Sequence, residues 1–577
     1  MSTLRAAVVG AGLGGLSAAM RLAAEGWEVV VFEKQAGPGG KAFTEEIGGY
    51  RFDTGPSLLT LAPVFEELFG STGARLEDYL RIERLETICR YVYPDGTRLN
   101  AYADTDRFAA ELEEKTGEPA GRITEYLAYS KRIYEITGEL FLRSSLHDGA
   151  TYRSKRFFKS LFQLGRIDAL RTMDAAHQSF FDSPKVRQLF NRYATYNGSS
   201  PYKTPATLNI IPWVEYGLGA WAVLDGIYAI PKAMERRARE IGVTFRYDTQ
   251  VTRILTRGEA GRNGEVRGVE VAPARGAGPD PSRAAREARS GAPGDGPAGA
   301  RPQETGAPGD GPAGARLQET GAPGADAAPQ ETGAPGAADR QELDFDIVVC
   351  DADVKPTYRY LLNDPEAPLL KRYERLEPSS SGLVFYWGVR RSFEELGLHN
   401  IFFSSDYQRE FREIFDEGVP PTDPTIYLNI TSKHTPADAP RGCENWFVLI
   451  NAPPDRGQDW ETEADRVRRR VIERLSAELG VDLDSLIEAE GRLLPPEIEA
   501  RTDSHAGSLY GISSNTRLAA FLRHPNRSPR YRGLYHCGGS AHPGGGMPLV
   551  VLSGMISADL IARDLGKRPL QKAHQLG

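Results

Sequence analysis

The chain has 577 residues, enough for several domains, and its 40% hydrophobic content supports a sizeable core. A net charge of −8 argues against a general nucleic-acid binder. The four cysteines, Cys89, Cys350, Cys443 and Cys537, form no Cys-x-x-Cys, and the nine histidines form no His-Glu-x-x-His, so neither a metal site nor a disulfide framework is expected. The chain starts straight into a folding strand, so no signal peptide is expected, and the scattered cysteines suit a reducing cytoplasm. No run of about eighteen apolar residues predicts a membrane span.

Ala6 to Val9 reads as a buried strand, followed by a glycine turn and a helix from about Leu13. Gly10, Gly12 and Gly15 fill the G-x-G-x-x-G template, with Gly14 inside it. The first allows the turn, the second a close approach of pyrophosphate, and the third tight packing of helix on strand. The helix N-terminus offers free N–H groups to phosphates. A second strand, Glu28 to Phe32, ends at Glu33, placed about twenty residues beyond the glycines to accept ribose hydrogen bonds. Gly37-Pro38-Gly39-Gly40-Lys41 and then Phe52-Asp53-Thr54-Gly55-Pro56 suit a second close backbone approach to a long dinucleotide, which points to FAD rather than NAD. Together these stretches resemble the amino-terminal signature of FAD-dependent amine oxidases, GDP-dissociation-inhibitor-like proteins and phytoene desaturases.

Further along, Ala62 to Leu80 reads as helical and Ile88 to Tyr102 as a hairpin around Pro94-Asp95-Gly96. Thr105 to Arg192 is predicted helical. Within it, Tyr152 to Arg171 carries Arg153, Lys155, Arg156, Lys159, Arg166 and Arg171 against one acid, Asp168, with Phe157, Phe158, Leu161, Phe162 and Leu164 gathering on one side. Such a stretch fits either an anionic membrane surface or a solvated basic face over a core. Strands follow at Thr244 to Tyr247, Val251 to Leu255 and Val266 to Val271.

Residues 273–340 are mostly Gly, Ala and Pro. Gly-Ala-Pro-Gly recurs from Gly291, Gly306, Gly321 and Gly333, and Gln-Glu-Thr from Gln303, Gln318 and Gln330, without a strict every-third glycine. Too few apolar groups are present to offset ordering entropy, so a disordered insertion is expected, interrupting a connection between strands of one sheet. Beyond it, Phe345 to Cys350 is again strand-like, then come strands at Gly382 to Val389, Thr425 to Thr431 and Trp446 to Ile450, and a helix over Glu461 to Leu479.

The chain closes with Cys537-Gly538-Gly539-Ser540-Ala541-His542-Pro543-Gly544-Gly545-Gly546-Met547-Pro548 and an apolar helix to about Leu565. Bare backbone and a helix N-terminus there suit the isoalloxazine, whose reduced anion the dipole would stabilise. With the opening fingerprint, Asp53 to Pro56, His399 to Phe403, Gly507 to Gly511 and Phe521 to Asn526, this ending resembles the bacterial-type phytoene desaturase (carotenoid desaturase) family, over all but the insertion. The ending most resembles its later-acting 1-hydroxycarotenoid 3,4-desaturase branch. Two places depart from the family pattern: Asp225-Gly226 replaces a glycine pair, and Asp351-Ala352-Asp353 replaces Asn-Ala-Asp.

The resemblance implies an α/β fold: a Rossmann-like FAD-binding domain of the amine oxidase/GDI-like type, a mixed-sheet substrate domain and a helical lid. It divides the chain into 1–70, 225–272, 341–357 and 497–577 for FAD, 71–104 and 358–496 for substrate, and 105–224 for the lid and membrane contact. It implies FAD contacts at Gly10, Gly12, Gly14, Gly15, Glu33, Lys34, Gly39, Gly40, Lys41, Gly55, Pro56, Val251, Gly538, Gly539, Gly546, Met547 and Pro548. It implies a carotenoid substrate, hydride transfer to flavin, reoxidation by a quinone or oxygen, and a place on the cytoplasmic face of the membrane, with no partner for nucleic acid. His542 is the candidate catalytic residue, with a structural hydrogen bond as its other reading. Cys537 reads as an inert strand cysteine rather than a site of flavin attachment. Another flavoenzyme of this scaffold (amine oxidase, carotenoid ketolase or saturase) and a non-enzymatic GDI-like prenyl-binding protein are the rival readings.

Overall fold

The computed structural model describes residues 3–152, 163–258, 264–274, 339–516, 523–567 and 569–570. Five parallel strands form one sheet, in the order Thr244–Arg246, Glu28–Phe32, Arg5–Val9, Ile347–Cys350, Leu534–His536. These strands are apolar at successive positions because both faces are covered. Val8, Val31 and Val349 face the helices Leu13–Ala24, Ala229–Glu240 and Met547–Asp564, while Ala7, Val30 and Val348 face a second sheet. The first and last helices cross at van der Waals contact. A Cβ on Gly554 would lie 2.2 Å from the Gly14 carbonyl oxygen, and Ser17 Oγ donates to the Val551 carbonyl at 2.8 Å.

The second sheet holds Thr249–Arg257, Gly264–Pro273 and Gln341–Asp344, with Tyr531–Arg532 alongside. The Gly/Ala/Pro-rich insertion thus joins two antiparallel neighbours, and residues 275–338 of it lie outside the described residues. The strand expected over Phe345 to Cys350 is shorter, Ile347–Cys350, and belongs to the parallel sheet instead. Asp346 Oδ2 accepts from the Arg5 N–H at 2.7 Å and turns the chain from one sheet to the other. The helix expected over Ala62 to Leu80 also breaks, into Ala62–Ser71 and a single turn Leu76–Asp78. Thr72 Oγ1 donates back to the Phe69 carbonyl at 2.7 Å, and Gly73 takes φ 79°, a left-handed stop.

A seven-stranded sheet runs Ile487–Leu493, Ser381–Val389, Glu444–Ala452, Ile426–Ile430, His399–Phe402, Thr87–Val92, Arg98–Tyr102. Alternate residues serve two faces. Phe385, Trp387, Leu428 and Val448 pack on the helix Trp460–Leu479 through Val467, Val471 and Leu475. Val384, Tyr427 and Phe447 point the other way. Helices Thr105–Thr116, Ala120–Thr137, Met173–Phe180 and Pro184–Asn191 pack against the far edge of this sheet around Phe108, Tyr126 and Phe190. Of the basic stretch Tyr152 to Arg171, residues 153–162 lie outside the described residues. Asp168 pairs with Arg171 at 2.6 Å and accepts from Tyr129 Oη at 2.7 Å. Among the described residues no helix is long and apolar enough to cross a membrane.

Candidate active site

A cavity of ≈ 1380 Å³ runs from the glycine segments to the inner face of the seven-stranded sheet. Pockets for a single small molecule span roughly 300–1,000 Å³, so this one has room for a dinucleotide and a second long molecule together.

On the glycine side, Gly10, Gly12, Glu33, Lys34, Gly39, Gly40, Lys41, Gly55 and Pro56 line the cavity. So do Val251 from the second sheet, Gly538 and Gly539 from the turn after Leu534–His536, and Gly546, Met547 and Pro548 at the start of the closing helix. Gly14 and Gly15 are not in this lining; they work behind it. A Cβ on Gly15 would sit 2.2 Å from the Gly10 carbonyl oxygen, so only glycine lets helix and strand close. Gly39 is confined by its own loop, with φ 123° and a would-be Cβ 2.1 Å from the Ala42 carbonyl oxygen. Two helices start at the cavity, at Leu13 and at Met547, with glycine N-caps and no side-chain cap. The Gly15 N–H bonds the Asp351 carboxyl and Pro548 has no N–H, so the first-turn N–H groups that face a ligand are those of Leu13 and Met547.

Backbone groups hold two of the charged side chains here, Glu33 and Lys41. Glu33 accepts from the N–H groups of Ala11 (2.7 Å) and Gln35 (2.9 Å), and burial pushes its carboxyl up, against those two bonds. Lys34 Nζ pairs with Asp503 at 2.7 Å. Lys41 Nζ donates to the carbonyls of Ser508 and Leu509, both at 3.0 Å, and burial pushes it down to about 8 while Asp353 and Asp351 oppose. Asp351, where the family pattern has Asn, projects over the glycines, and burial pushes its carboxyl up to about 7. The cradle, its two helix starts without side-chain caps and the buried Glu33 carboxyl fit a dinucleotide; Gly538 sits against Gly14, so the Gly12 to Gly15 turn and the Gly538 turn share one part of the cradle.

His542 stands elsewhere. It is 3% exposed and outside the cavity lining, its Nε2 shares a hydrogen bond with the Ser144 carbonyl at 2.9 Å, and burial pushes it down to about 4. Cys537 is buried, its thiol donates towards Asp351 Oδ1 at 3.6 Å, and burial pushes it well up, as for an inert thiol.

Opposite the cradle, strand alternation places Cys89, His399, Ile401, Tyr427, Phe447, Leu449, Val384 and Leu493 on one wall. His399 Nδ1 contacts Tyr427 Oη at 2.8 Å, and Tyr427 Oη meets Ser57 Oγ at 2.5 Å. Burial, with His434 and Arg192 adding to it, holds His399 near 3, a neutral imidazole. The helical region adds Arg192, Thr195, Tyr196 and Glu215. Sequence reasoning missed these four; the one signal was a lone acid, Glu215, inside the apolar run Ile210 to Tyr216, where a buried charge requires a partner.

A family model described as flavin-containing amine oxidoreductase matches residues 13–274. The 1-hydroxycarotenoid 3,4-desaturase of Flavobacterium sp. is 39% identical over 557 residues, 96% of this chain and 99% of that protein. The zeta-carotene-forming phytoene desaturase of Myxococcus xanthus is 33% identical, covering 99% of this chain and 95% of that protein. This chain belongs to the carotenoid desaturase family. Another relative, the 4,4'-diapolycopene oxygenase of Methylomonas sp, is 33% identical over 97% of this chain and 98% of its own length. As a family member the chain is a flavoprotein oxidoreductase, and FAD is the dinucleotide that the cradle suits. Its architecture is the flavin-containing amine oxidase type, a parallel dinucleotide sheet joined to a mixed sheet.

Proposed function

We propose that this chain introduces a C=C bond into a long polyene that carries a hydroxyl near one end, as its 39% identical relative's name describes for that protein. The observation that carries the reading is one cavity whose opposite walls are a dinucleotide cradle and an apolar sheet face. The chemistry FAD supplies when bound is acceptance of a hydride from a CH–CH unit. Gly39, Gly40 and Lys41 hold the cradle loop, Glu33 takes a ribose hydroxyl, and the helix starting at Met547 presents the Met547 N–H to the cavity. Ile401, Phe447, Leu449 and Leu493 line the polyene's track and keep water from it. His542, hydrogen-bonded to the Ser144 carbonyl, supports the loop before the Met547 helix rather than touching substrate.

The polyene comes from a bilayer, so the enzyme works lying on one, at the cytoplasmic face. Tyr152 (46% exposed) and Leu170 (75% exposed) flank the basic stretch with Arg153, Lys155, Arg156 and Lys159, and this region is the membrane contact. A quinone or oxygen takes the electrons. The division into a discontinuous FAD domain, a substrate domain and a helical lid belongs to the same proposal. Expression in cells that accumulate defined carotenoid precursors tests the activity. The expected product has two hydrogens fewer and a red-shifted absorption. A product heavier by one oxygen would favour the oxygenase reading, which the Methylomonas relative supports, and unchanged precursor in cells holding flavin-loaded protein would refute both.

A further inference from the structure

The cavity wall contains an ion pair that a pure hydrocarbon has no use for. Arg192 opens the turn Arg192–Asn197, and Glu215 sits in the wide turn Trp213–Gly217. Wide turns of this kind often mark functional positions. Both residues line the cavity, yet Arg192 is 8% and Glu215 1% exposed. Glu215 Oε1 accepts from Tyr193 Oη at 2.6 Å, Oε2 accepts from Tyr196 Oη, and Arg192 Nη2 lies 3.6 Å from Oε1. The same Nη2 donates to Tyr91 Oη at 2.8 Å. Three rings surround the guanidinium, with its carbon 4.5 Å from the Tyr193 centroid, 5.3 Å from Tyr196 and 5.4 Å from Tyr91.

This arrangement leaves capacity unspent on both partners. Arginine has five N–H donors, but both polar contacts of Arg192 fall on Nη2, and Nε has no partner among the described residues. A carboxylate offers about four lone-pair sites, and the two tyrosines use only one on each oxygen of Glu215. Placing two charges in an apolar chamber carries a desolvation cost that their mutual attraction offsets poorly. A donor and an acceptor side by side match one functional group in particular, an alcohol, which accepts through its oxygen and donates through its O–H. An ether or a ketone meets only the donor, and a plain hydrocarbon meets neither.

We propose that Arg192 and Glu215 together read the terminal hydroxyl of the polyene, Arg192 donating to its oxygen and Glu215 accepting its proton in a hydrogen bond. The pair thereby selects an alcohol over the corresponding hydrocarbon or ether. The inference rests on the polyene desaturase reading above.

The test uses full-length, FAD-loaded enzyme on liposomes with three polyenes of one chain length: the tertiary alcohol, its methyl ether and the hydrocarbon lacking oxygen. A site built to hydrogen-bond a substrate hydroxyl rejects the analogue lacking it by orders of magnitude, so a preference of about 10²-fold or more in kcat/KM for alcohol over hydrocarbon is expected, with the ether below the alcohol. In the variant Arg192→Met/Glu215→Met, which removes both charges together with the donor and the acceptor, the ratio should collapse to near unity. A merely structural pair would lower all three rates together and leave the ratio standing. If the double variant holds no flavin, Arg192→Lys, which keeps a cation beside Glu215 but loses the guanidinium fork, decides by the same ratio. An unchanged ratio in either flavin-loaded variant, or a wild type indifferent to the three, overturns the proposal. Binding of the three polyenes, followed by the shift in their absorption, gives the same comparison without turnover. A wild type that binds the alcohol selectively but desaturates nothing would therefore refute the activity and not the pair.

Discussion

Replacing Asp351 by Asn should make the flavin-free protein's stability less dependent on pH. Asp351 follows the strand Ile347–Cys350, with its N–H donating to the Val9 carbonyl at 2.9 Å. Its carboxyl fills the space that three glycines leave: a Cβ on Gly12, Gly14 or Gly538 would come within 2.4, 2.4 and 2.5 Å of its oxygens. Burial raises this carboxyl from 3.8 to about 7, the Gly15 N–H and the Cys537 thiol pull it back, and Glu33 raises it where Lys41 lowers it. A raised carboxyl contributes stability that is complete below the unfolded value near 3.8 and is lost as pH climbs to about 7. Between pH 5 and pH 8 the unfolded chain gains about three units of ionisation free energy from this group and the folded chain only about one. At 1.36 kcal/mol per unit, the wild type should lose roughly 2–3 kcal/mol relative to Asp351→Asn over that range. Asn keeps the shape and cannot ionise. Denaturant unfolding of flavin-free wild type and variant at pH 5, 6, 7 and 8 measures the difference directly. A gap that stays constant within about 0.5 kcal/mol from pH 5 to 8 would refute the reasoning, because the carboxyl would then titrate alike in both states.

Glu33→Ala should weaken FAD binding by on the order of 1.5–3 kcal/mol, since hydrogen bonds to a charged acceptor are lost; unchanged affinity in a flavin titration would remove Glu33 from the ribose site. Deleting Pro279 to Ala338, which lies between the paired strands Gly264–Pro273 and Gln341–Asp344, should leave flavin content and the melting transition nearly intact. Closure entropy changes by only roughly 0.6 kcal/mol per doubling of loop length, and a variant that loses its flavin would show that the insertion carries structure. Of the four thiols, Cys443 alone is partly exposed, and burial pushes Cys89 up to about 12 and Cys350 up to about 11. One equivalent of a thiol reagent should therefore react with native protein and four after unfolding; a second fast native equivalent would contradict the buried placements. Changing Arg153, Lys155, Arg156 and Lys159 to Glu should abolish binding to anionic liposomes at low salt without altering the flavin spectrum, each cation contributing about 1 kcal/mol near such a surface. Co-sedimentation at the wild-type level would place the membrane contact elsewhere.

The parts of the site that could be read along the chain are those whose causes lie within a few residues. A strand, a glycine turn and a helix start occupy Ala6 to Leu16, so the Gly10 to Gly15 fingerprint declares both its geometry and its ligand class. The hairpin around Pro94-Asp95-Gly96 and the continuous apolar run within Ser381–Val389, buried throughout, are local in the same way. Where a helix would end was less legible: Ala62 to Leu80 keeps an apolar pattern, and only the Thr72 cap and the left-handed Gly73 break it.

What the tertiary structure alone decided is which distant groups share one space. Phe345 to Cys350 has the composition of a strand in either sheet, and pairing with Arg5–Val9 assigns it. Asp351 was visible as a departure from Asn, but not that its carboxyl would stand over Gly12, Gly14 and Gly538. Arg192 and Glu215 carry no pattern between them, and they meet because the helical region folds back on the edge of the seven-stranded sheet. Helical and strand periodicities record which face of an element is buried. They carry no record of what lies opposite, because that is set by closing loops of tens to hundreds of residues, and the free energy of such closure changes only slowly with loop length.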